Sequence, residues 1–328
     1  MATASPEPPF VVGIGASAGG VEALLRLAKA LPPEFPGAIV VVLHVADTPR
    51  SLMPELLDRA GPLSTIAPDR PEPLVAGRIH IAAPGRHLLV ERGWVTPVPG
   101  PRENGHRPAV DPMLRSLADA YGPRAIGVIL TGNRDDGTAG LQRIKLAGGH
   151  TIVQDPEDAL YDGMPRSALA NVQVDDTLPL DDIAARLILL SQRMEADPVV
   201  DRINDPEPAA EPSTRFTCPE CGGVLHSHSE GAVDQLRCAV GHAYTFDTYA
   251  STQDHDVEKA LWMATRMLSD RAALMRDMAR RARQAGREYG VRFYVERADE
   301  AEAQAEAVRT LINARVAEPI MEADDGTG

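Results

Sequence analysis

Residues 10–20 read FVVGIGASAGG, an apolar run that passes through a glycine-rich turn into the helical pattern GGVEALLRLAKAL. Three interpretations of this turn are open. The spacing GxGxxA from Gly13 matches a dinucleotide-binding fingerprint. The spacing GxSxG around Ser17 matches a nucleophile elbow, in which small neighbours expose a serine hydroxyl. The turn could also be structural, with Ser17 capping the helix that follows. The rest of the sequence has to decide between these readings.

The pattern that starts at this turn continues along the chain. Two continuous apolar runs, AIVVVLH (38–44) and AIGVILT (125–131), are typical of strands buried on both faces. Shorter strand patterns and helical patterns alternate with them, and HLLVERGWVTPV predicts a hairpin around Arg92-Gly93. Strands that alternate with helices predict an α/β fold with a doubly wound, mainly parallel sheet.

Changes in composition divide the 328 residues into segments. A stretch rich in Pro, Asp, Glu and Ala separates the α/β pattern from a cysteine-containing segment, which long helical patterns follow. The predicted organisation is a disordered tail (1–9), a catalytic domain (10–194), a linker (195–215), a zinc-ribbon-like module (216–250), a helical hairpin (251–318) and a disordered tail (319–328).

Bulk properties exclude several classes of protein. Hydrophobic residues make up 44% of the chain and aromatic residues only 4%, so the predicted core is aliphatic. The net charge of −14 argues against a nucleic-acid partner, which would require a cationic face. No apolar run reaches the roughly 18 residues of a membrane span, and the N-terminus lacks a signal-peptide pattern. We therefore expect a cytoplasmic protein. Its three cysteines, all beyond residue 217, suit a metal site better than disulfides.

The strand ends decide between the readings of the first turn. Parallel strands bring their carboxyl ends to one edge of the sheet, and here these ends carry Ser17, His44 and the pair Asp135-Asp136. A serine hydroxyl needs a base to take its proton, and the base needs an acid to orient it. A dinucleotide site would instead need an acid at the end of the second strand, where this chain has His44. The pattern favours nucleophilic catalysis, with a nucleotide-binding oxidoreductase as the alternative.

With these motifs, the sequence resembles the catalytic domain of the CheB family of chemotaxis receptor methylesterases. The resemblance covers about residues 10–193 and rests on motifs in order: GIGASAGG, VVVLHVADTP, RIHIAAPGRHLLV, HRPAVDPMLRS, VILTGNRDDGTAG and DGMPRSA. It implies hydrolysis of γ-glutamyl methyl esters on receptor or signalling proteins, and deamidation of certain glutamines. It also implies that catalysis needs no cofactor.

The resemblance assigns roles to individual residues. Ser17 resembles the nucleophile of the family, His44 its base and Asp136 its orienting acid. The backbone amides of Ala18 and Asn133 are candidate oxyanion donors. The segment with His106 and Arg107 resembles part of the cleft border, where fixing a loop and contacting substrate are both open roles.

Two departures from the family pattern matter. The family usually has Met-Gly where this chain has Asn133-Arg134, which leaves the substrate open. Typical members also begin with a phosphorylatable receiver domain, whereas this sequence starts directly at the catalytic strand, so we expect a stand-alone form. A second alternative function is a signalling scaffold that keeps the fold and acts by binding.

The cysteine segment predicts a structural zinc site. Cys218-x-x-Cys221 and Cys238-x-x-x-His242 supply three thiolates and one imidazole on two tight turns, separated by 16 residues. A closed ligand set of this type leaves no open position for catalysis. His226 and His228 are spare candidates within the same segment.

Two helical stretches follow, roughly 253–286 and 291–316, with breaks predicted at Gly286 and Gly290. Apolar residues of the first stretch recur at close to a 3.5-residue spacing. The pattern is compatible with a hairpin that packs on itself, with dimerisation, or with docking of a methyltransferase or another pathway partner.

Overall fold

The structure is a computed structural model that describes residues 7–44, 51–196, 213–231 and 233–317. Most of the tail expected at 1–9, the motif after His44, most of the expected linker and the tail at 319–328 lie outside the described residues. The chain divides into two compact units, Met1–Tyr249 and Ala250–Gly328. The cysteine segment therefore belongs to the same unit as the α/β domain.

A seven-stranded sheet forms the centre of the first unit. Its order is β10-β9-β8-β1-β2-β5-β3, and every neighbouring pair is parallel. This confirms the predicted doubly wound α/β fold. Its strands are β1 (Val11–Ala16), β2 (Ala38–Leu43), β3 (Ser64–Ile66), β5 (Arg78–Ile81), β8 (Ala125–Ile129), β9 (His150–Gln154) and β10 (Asp176–Leu178). A small antiparallel sheet lies beside it, with β4 (Glu72–Pro73), β6 (His87–Glu91) and β7 (Trp94–Val98).

Helices cover both faces of the parallel sheet. They are α1 (Gly20–Ala30), α2 (Met53–Ala60), α3 (Val110–Tyr121), α4 (Thr138–Leu146), α5 (Gly163–Asn171) and α6 (Leu180–Ala196). One core cluster joins the sheet to α1, α2 and α6, and another joins it to α3, α4 and α5. Strands β1, β2 and β8 are buried along their whole length, as expected of continuous apolar runs between two helical layers. This arrangement places their carboxyl ends side by side.

The cysteine segment forms a four-stranded antiparallel sheet, which we call the ribbon. Its strands run in the order β11 (Ser213–Thr217), β12 (Val224–Glu230), β13 (Val233–Cys238) and β14 (Ala243–Thr245). The ribbon has its own small core around Leu225, Leu236 and Tyr244. Strands β12 and β13 contact α4 of the α/β domain.

The second unit is built from two long helices. Helix α7 (Phe246–Gln284) begins in the first unit, and α8 (Glu288–Ala317) runs back along it, with Arg276 paired to Asp299 across the two helices. The chain reverses at Gly286, whose φ of 68° is a conformation that favours glycine. The predicted second break at Gly290 is wrong, because Gly290 lies inside α8. No helix among the described residues is long and apolar enough to cross a bilayer.

One buried side chain of the central sheet makes the stability of the fold depend on pH. His80 in β5 is 0% exposed, and neither ring nitrogen has a hydrogen-bond partner among the described residues. Burial, with a smaller effect of Arg78, lowers the pKa of His80 to about 4. The unfolded chain therefore binds a proton that the folded chain excludes between an unfolded pKa of about 6.5 and the folded value.

We expect this single group to lower the free energy of unfolding by about 2 kcal/mol when the pH falls from 7 to 5. The variant His80→Leu removes the titratable group. Its free energy of unfolding should therefore fall by about 2 kcal/mol less than that of the wild type between pH 7 and pH 5. Urea unfolding of both proteins at the two pH values measures it. An equal loss in the variant and the wild type would exclude His80 as the source.

Candidate active site

The glycine-rich turn holds Ser17 directly after β1. Gly19 adopts a φ of 75° and begins the turn into α1, so the chain reverses sharply without a side chain in the way. The loop after β8 fixes the turn from the other side. Ser17 N donates to the Thr131 carbonyl at 3.0 Å, and the Thr131 hydroxyl donates to the Ala18 carbonyl at 3.0 Å. The serine hydroxyl is therefore presented on a fixed backbone.

Three side chains predicted from separate strand ends meet in one hydrogen-bonded row. Ser17 Oγ lies 3.1 Å from His44 Nδ1, and His44 Nε2 lies 2.7 Å from Asp136 Oδ2. The side chains of His44 and Asp136 are only 6% and 2% exposed. The structure thus brings Ser17, His44 and Asp136 together, in the geometry that activates a serine hydroxyl.

The orientation of the imidazole fixes its tautomer. An ionised carboxylate can only accept hydrogen bonds, so the ring proton sits on His44 Nε2, facing Asp136. Nδ1 then keeps a lone pair 3.1 Å from the Ser17 hydroxyl. The ring is ready to take the serine proton, with Nδ1 as the accepting atom.

The carboxylate of Asp136 is held ionised by donors on all sides. Burial opposes its charge, but His44 and the backbone N–H of Val110 bring the pKa of Asp136 below its usual value. The amides of Val110 and Asp111, in the first turn of α3, donate to Asp136 at 2.7 and 3.2 Å. A helix N-terminus favours a negative charge. The fold therefore supplies the anion that orients His44.

Two buried residues that sequence reasoning missed complete this network. Asn104 Nδ2 donates to Asp136 Oδ1 at 3.0 Å and to Asp111 Oδ2 at 2.9 Å. Burial, followed by the charge of Asp136, raises the pKa of Asp111 well above its usual value. Asp111 lies in the motif HRPAVDPMLRS, and Asn104-Gly105 is a common turn dipeptide. Neither pattern indicates a contact with Asp136.

His106 lies against the catalytic row. Its ring stacks on that of His44 with the centroids 3.7 Å apart and an angle of 11° between the planes. Burial, followed by the neighbouring His44, lowers the pKa of His106 to about 4. A neutral ring therefore covers one face of the His44 imidazole and leaves the edge that faces Ser17 available.

The other predicted border residues take distinct positions. Arg107 donates to the Gly100 carbonyl at 2.8 Å, and its own carbonyl accepts from Gly85 N at 3.1 Å, which is a loop-fixing arrangement. Arg134 adopts a φ of 63°, the left-handed region for which the glycine of the family pattern is suited. Among the described residues, the backbone amides of Ala18 and Asn133 donate to no protein acceptor. Both amides remain available for an oxyanion.

The four metal-ligand candidates of the ribbon form one cluster. The ligand atoms of Cys218, Cys221, Cys238 and His242 all lie within 4.8 Å of one another. Cys221 Sγ lies 3.6 Å from Cys238 Sγ, and His242 Nδ1 lies 3.5 Å from Cys238 Sγ. Tetrahedral zinc with ordinary bond lengths requires separations of about 3.5–3.8 Å between ligand atoms. The residues therefore fit a tetrahedral metal ion, whereas His226 and His228 are not members of the cluster.

Comparisons with known proteins match the α/β domain. The CheB methylesterase family model matches residues 12–187. "Protein-glutamate methylesterase/protein-glutamine glutaminase 4" of Anaeromyxobacter dehalogenans is 43% identical, over 55% of this chain and 52% of that protein. "Protein-glutamate methylesterase FrzG" of Myxococcus xanthus is 36% identical, over 56% of each. The chain thus spans about half the length of these curated relatives.

A solved structure extends the comparison to three dimensions. The Thermotoga maritima CheB methylesterase catalytic domain is 34% identical and superposes with a TM-score of 0.53, over 55% of this chain and 98% of that one. The family match lies within the α/β domain and covers the strand ends that carry Ser17, His44 and Asp136. The chain belongs to the CheB methylesterase family.

Proposed function

We propose that this chain is a serine hydrolase that removes methyl esters from glutamyl side chains of receptor or other signalling proteins. The observation that carries the proposal is the continuous row from Ser17 Oγ through His44 to Asp136. The relatives named as glutamate methylesterases support the choice of substrate class. The row also argues against a scaffold that acts by binding alone, because a scaffold has no need of an aligned base.

The steps of ester hydrolysis follow from the tautomer of His44, which leaves the Nδ1 lone pair facing Ser17. Ser17 Oγ attacks the ester carbonyl while His44 Nδ1 takes its proton, and the amides of Ala18 and Asn133 receive the oxyanion. Collapse of the tetrahedral intermediate transfers that proton to the leaving methoxide, so methanol departs and a glutamyl ester of Ser17 remains. Water then attacks this ester, with Nδ1 again as base, and releases the glutamate. A glutamine side chain would react in the same way with ammonia as the leaving group.

We place this activity in the cytoplasm, where receptor signalling domains carry such esters, and in chemotaxis or a related pathway. The second unit offers a surface for a pathway partner or a methyltransferase. Large apolar side chains along α7 are exposed, among them Trp262, Met263 and Met267 at 49%, 62% and 65%. Exposed apolar rows on a helix are typical of partner docking.

The proposed reaction is tested by methanol release. The purified full chain is incubated with a helical receptor peptide that carries a glutamyl γ-methyl ester, and with a matched peptide that carries an alanyl C-terminal methyl ester. We expect methanol from the glutamyl ester at a rate well above that from the alanyl ester. Equal rates on the two esters would reject the glutamyl substrate class, and no release from either would reject the hydrolase.

We further propose that the cluster of Cys218, Cys221, Cys238 and His242 binds zinc as a structural ion. The separations between their ligand atoms and the closed Cys3His donor set support this choice. Bound zinc would hold the two turns of the ribbon together, and binding of a structural zinc contributes directly to folding.

The purified protein should therefore carry about one zinc ion per chain, measured by metal analysis after dialysis. Cys221→Ser should lower the zinc content to near zero, because each thiolate is required in a closed four-ligand set. His226→Gln is the matched control, since His226 is in the same sheet but outside the cluster, and it should keep its zinc. A metal-free wild type would contradict the site, and zinc loss in His226→Gln would contradict the ligand assignment.

A further inference from the structure

One of the contacts between the ribbon and the α/β domain is made by the buried residue Asn104. The Asn104 backbone N–H donates to the Ala243 carbonyl at 2.8 Å, and the Thr245 N–H donates to Asn104 Oδ1 at 3.1 Å. Both partners belong to β14 of the ribbon, and Asn104 is only 1% exposed. Strand β14 therefore fixes both the backbone and the side chain of this residue.

The other side of the same side chain reaches the catalytic acid. The two protons of Asn104 Nδ2 are directed at Asp136 Oδ1 and Asp111 Oδ2. With its carbonyl oxygen bound to β14, the amide has no freedom to rotate away from Asp136. One residue thus connects a ribbon strand to the carboxylate that orients His44.

Further ribbon residues approach the same carboxyl groups. Gln235 of β13 is fully buried, and its Nε2 lies 3.3 Å from Asp111 Oδ2. The hydroxyl of Thr245 in β14, together with that of Thr248 in the first turn of α7, donates to Asp135, the buried neighbour of Asp136 in the chain. Burial raises the pKa of Asp135, and these two hydroxyls oppose that shift. The ribbon and the first turn of α7 therefore hold Asp135 in the loop that carries the catalytic acid.

The cysteine cluster lies directly beside these contacts in the chain. Cys238 ends β13, and His242 immediately precedes Ala243, the first residue of β14. Cys238 N donates to the His242 carbonyl at 3.0 Å, which closes the turn between the two strands. A metal ion held by Cys238 and His242 would fix this turn and, with it, the position of β14.

We propose that the ribbon is a working part of the active site: β14 holds Asn104, and Asn104 positions the carboxylate of Asp136. Asn104 is a positioning residue, since it acts through Asp136 and not on the substrate. Metal loading of the ribbon and turnover at Ser17 are then coupled. The inference rests on the proposed hydrolase function for its kinetic consequences, and on the contacts of β14 alone for its structural ones.

The first test replaces the connecting side chain in the full-length protein. Asn104→Ala removes one hydrogen bond to a charged carboxylate, so we expect kcat for ester hydrolysis to fall about 10- to 100-fold. KM should stay within about twofold, because the side chain does not contact substrate. Ser229→Ala, at an exposed ribbon residue that bonds Asp234, is the control and should leave kcat unchanged.

The second test removes a metal ligand of the ribbon and measures how well β14 still binds Asn104, without an activity assay. Cys238→Ser and wild-type protein are compared by hydrogen exchange at the Asn104 amide, which donates to β14. We expect at least tenfold faster exchange in the variant.

Gln235→Met keeps the volume of the side chain and all four metal ligands. It should lower kcat by roughly three- to tenfold through loss of the contact with Asp111.

A double-mutant cycle tests whether Asn104 and the metal ligand Cys238 affect catalysis through the same contacts. If they do, Asn104→Ala with Cys238→Ser should cost about as much in kcat as the more damaging single change. Costs that multiply, or an Asn104 amide equally protected with and without the metal ligand, would overturn the inference. A wild type with no esterase activity but a metal-dependent Asn104 amide would refute the proposed function and leave the β14 connection standing.

Discussion

Ser17→Ala is expected to lower kcat/KM for glutamyl methyl ester hydrolysis by about 10⁴ or more. Among the described residues, the hydroxyl that the variant lacks is the atom of the proposed site placed to form the covalent ester, 3.1 Å from the base. What remains is hydrolysis assisted by binding and by the oxyanion amides. Initial rates of methanol release, with the variant at high enzyme concentration, measure the difference.

The matched control is Ser191→Ala. Ser191 is a buried serine of α6 whose hydroxyl donates to the Ile188 carbonyl, outside the proposed site. We expect its activity to stay within about twofold of the wild type. If Ser17→Ala kept half of the wild-type rate, Ser17 would not be the nucleophile.

Asp136→Asn should reduce kcat by about 10⁴, with KM little changed. An amide at this position can turn its NH2 group toward His44 Nε2 and so force the ring proton onto Nδ1, the atom that faces Ser17. The base then has no lone pair for the serine proton. The amide also loses the charge that stabilises the imidazolium formed during attack.

Asp119→Asn serves as the control for this variant. Asp119 is an exposed residue of α3 that pairs with Arg143, so its activity should not change. Circular dichroism of both variants establishes that the fold is retained. An Asp136→Asn enzyme within tenfold of the wild type would mean that another group orients His44.

Much of the fold follows from local sequence pattern. The apolar runs of β1, β2 and β8 are typical of the middle of a sheet covered on both faces, and together with the helical patterns between them they predict a parallel α/β architecture. The breaks in the C-terminal helices were predicted less well. Gly286 ends α7 with a positive φ, but Gly290 is accommodated within α8 because a single glycine costs a helix only about 1 kcal/mol.

The candidate site also has a part that the sequence pattern predicts and a part that it does not. Ser17 and His44 directly follow β1 and β2, and Asp136 lies in the loop after β8, so their proximity could be inferred from the order of strands and helices. The connection through Asn104 could not. It joins segments more than a hundred residues apart, since Thr245 N reaches Asn104 Oδ1 across 141 positions of the chain. Such a contact is set by how the ribbon packs on α4 and not by any local pattern.

The cysteine spacing predicts a zinc-ribbon-like module that is separate from the α/β domain. Instead, Gln235 and Thr245 are buried against carboxyl groups of the α/β domain, and Met1–Tyr249 forms one compact unit. Spacing of the cysteines predicts the ligand set but carries no information about the surface on which the ribbon lies. We therefore expect removal of the ribbon to affect catalysis and not only stability.

The most direct test of the central claim is covalent labelling by a serine-directed phosphonate, followed by mass spectrometry of the digested protein. We predict a stoichiometric adduct on the peptide that contains Ser17, no adduct in Ser17→Ala, and much slower labelling in Asp136→Asn, since the same aligned base activates the hydroxyl in both reactions. Methanol release by an enzyme whose Ser17 stays unmodified, or an adduct on a different serine that abolishes activity, would contradict the account.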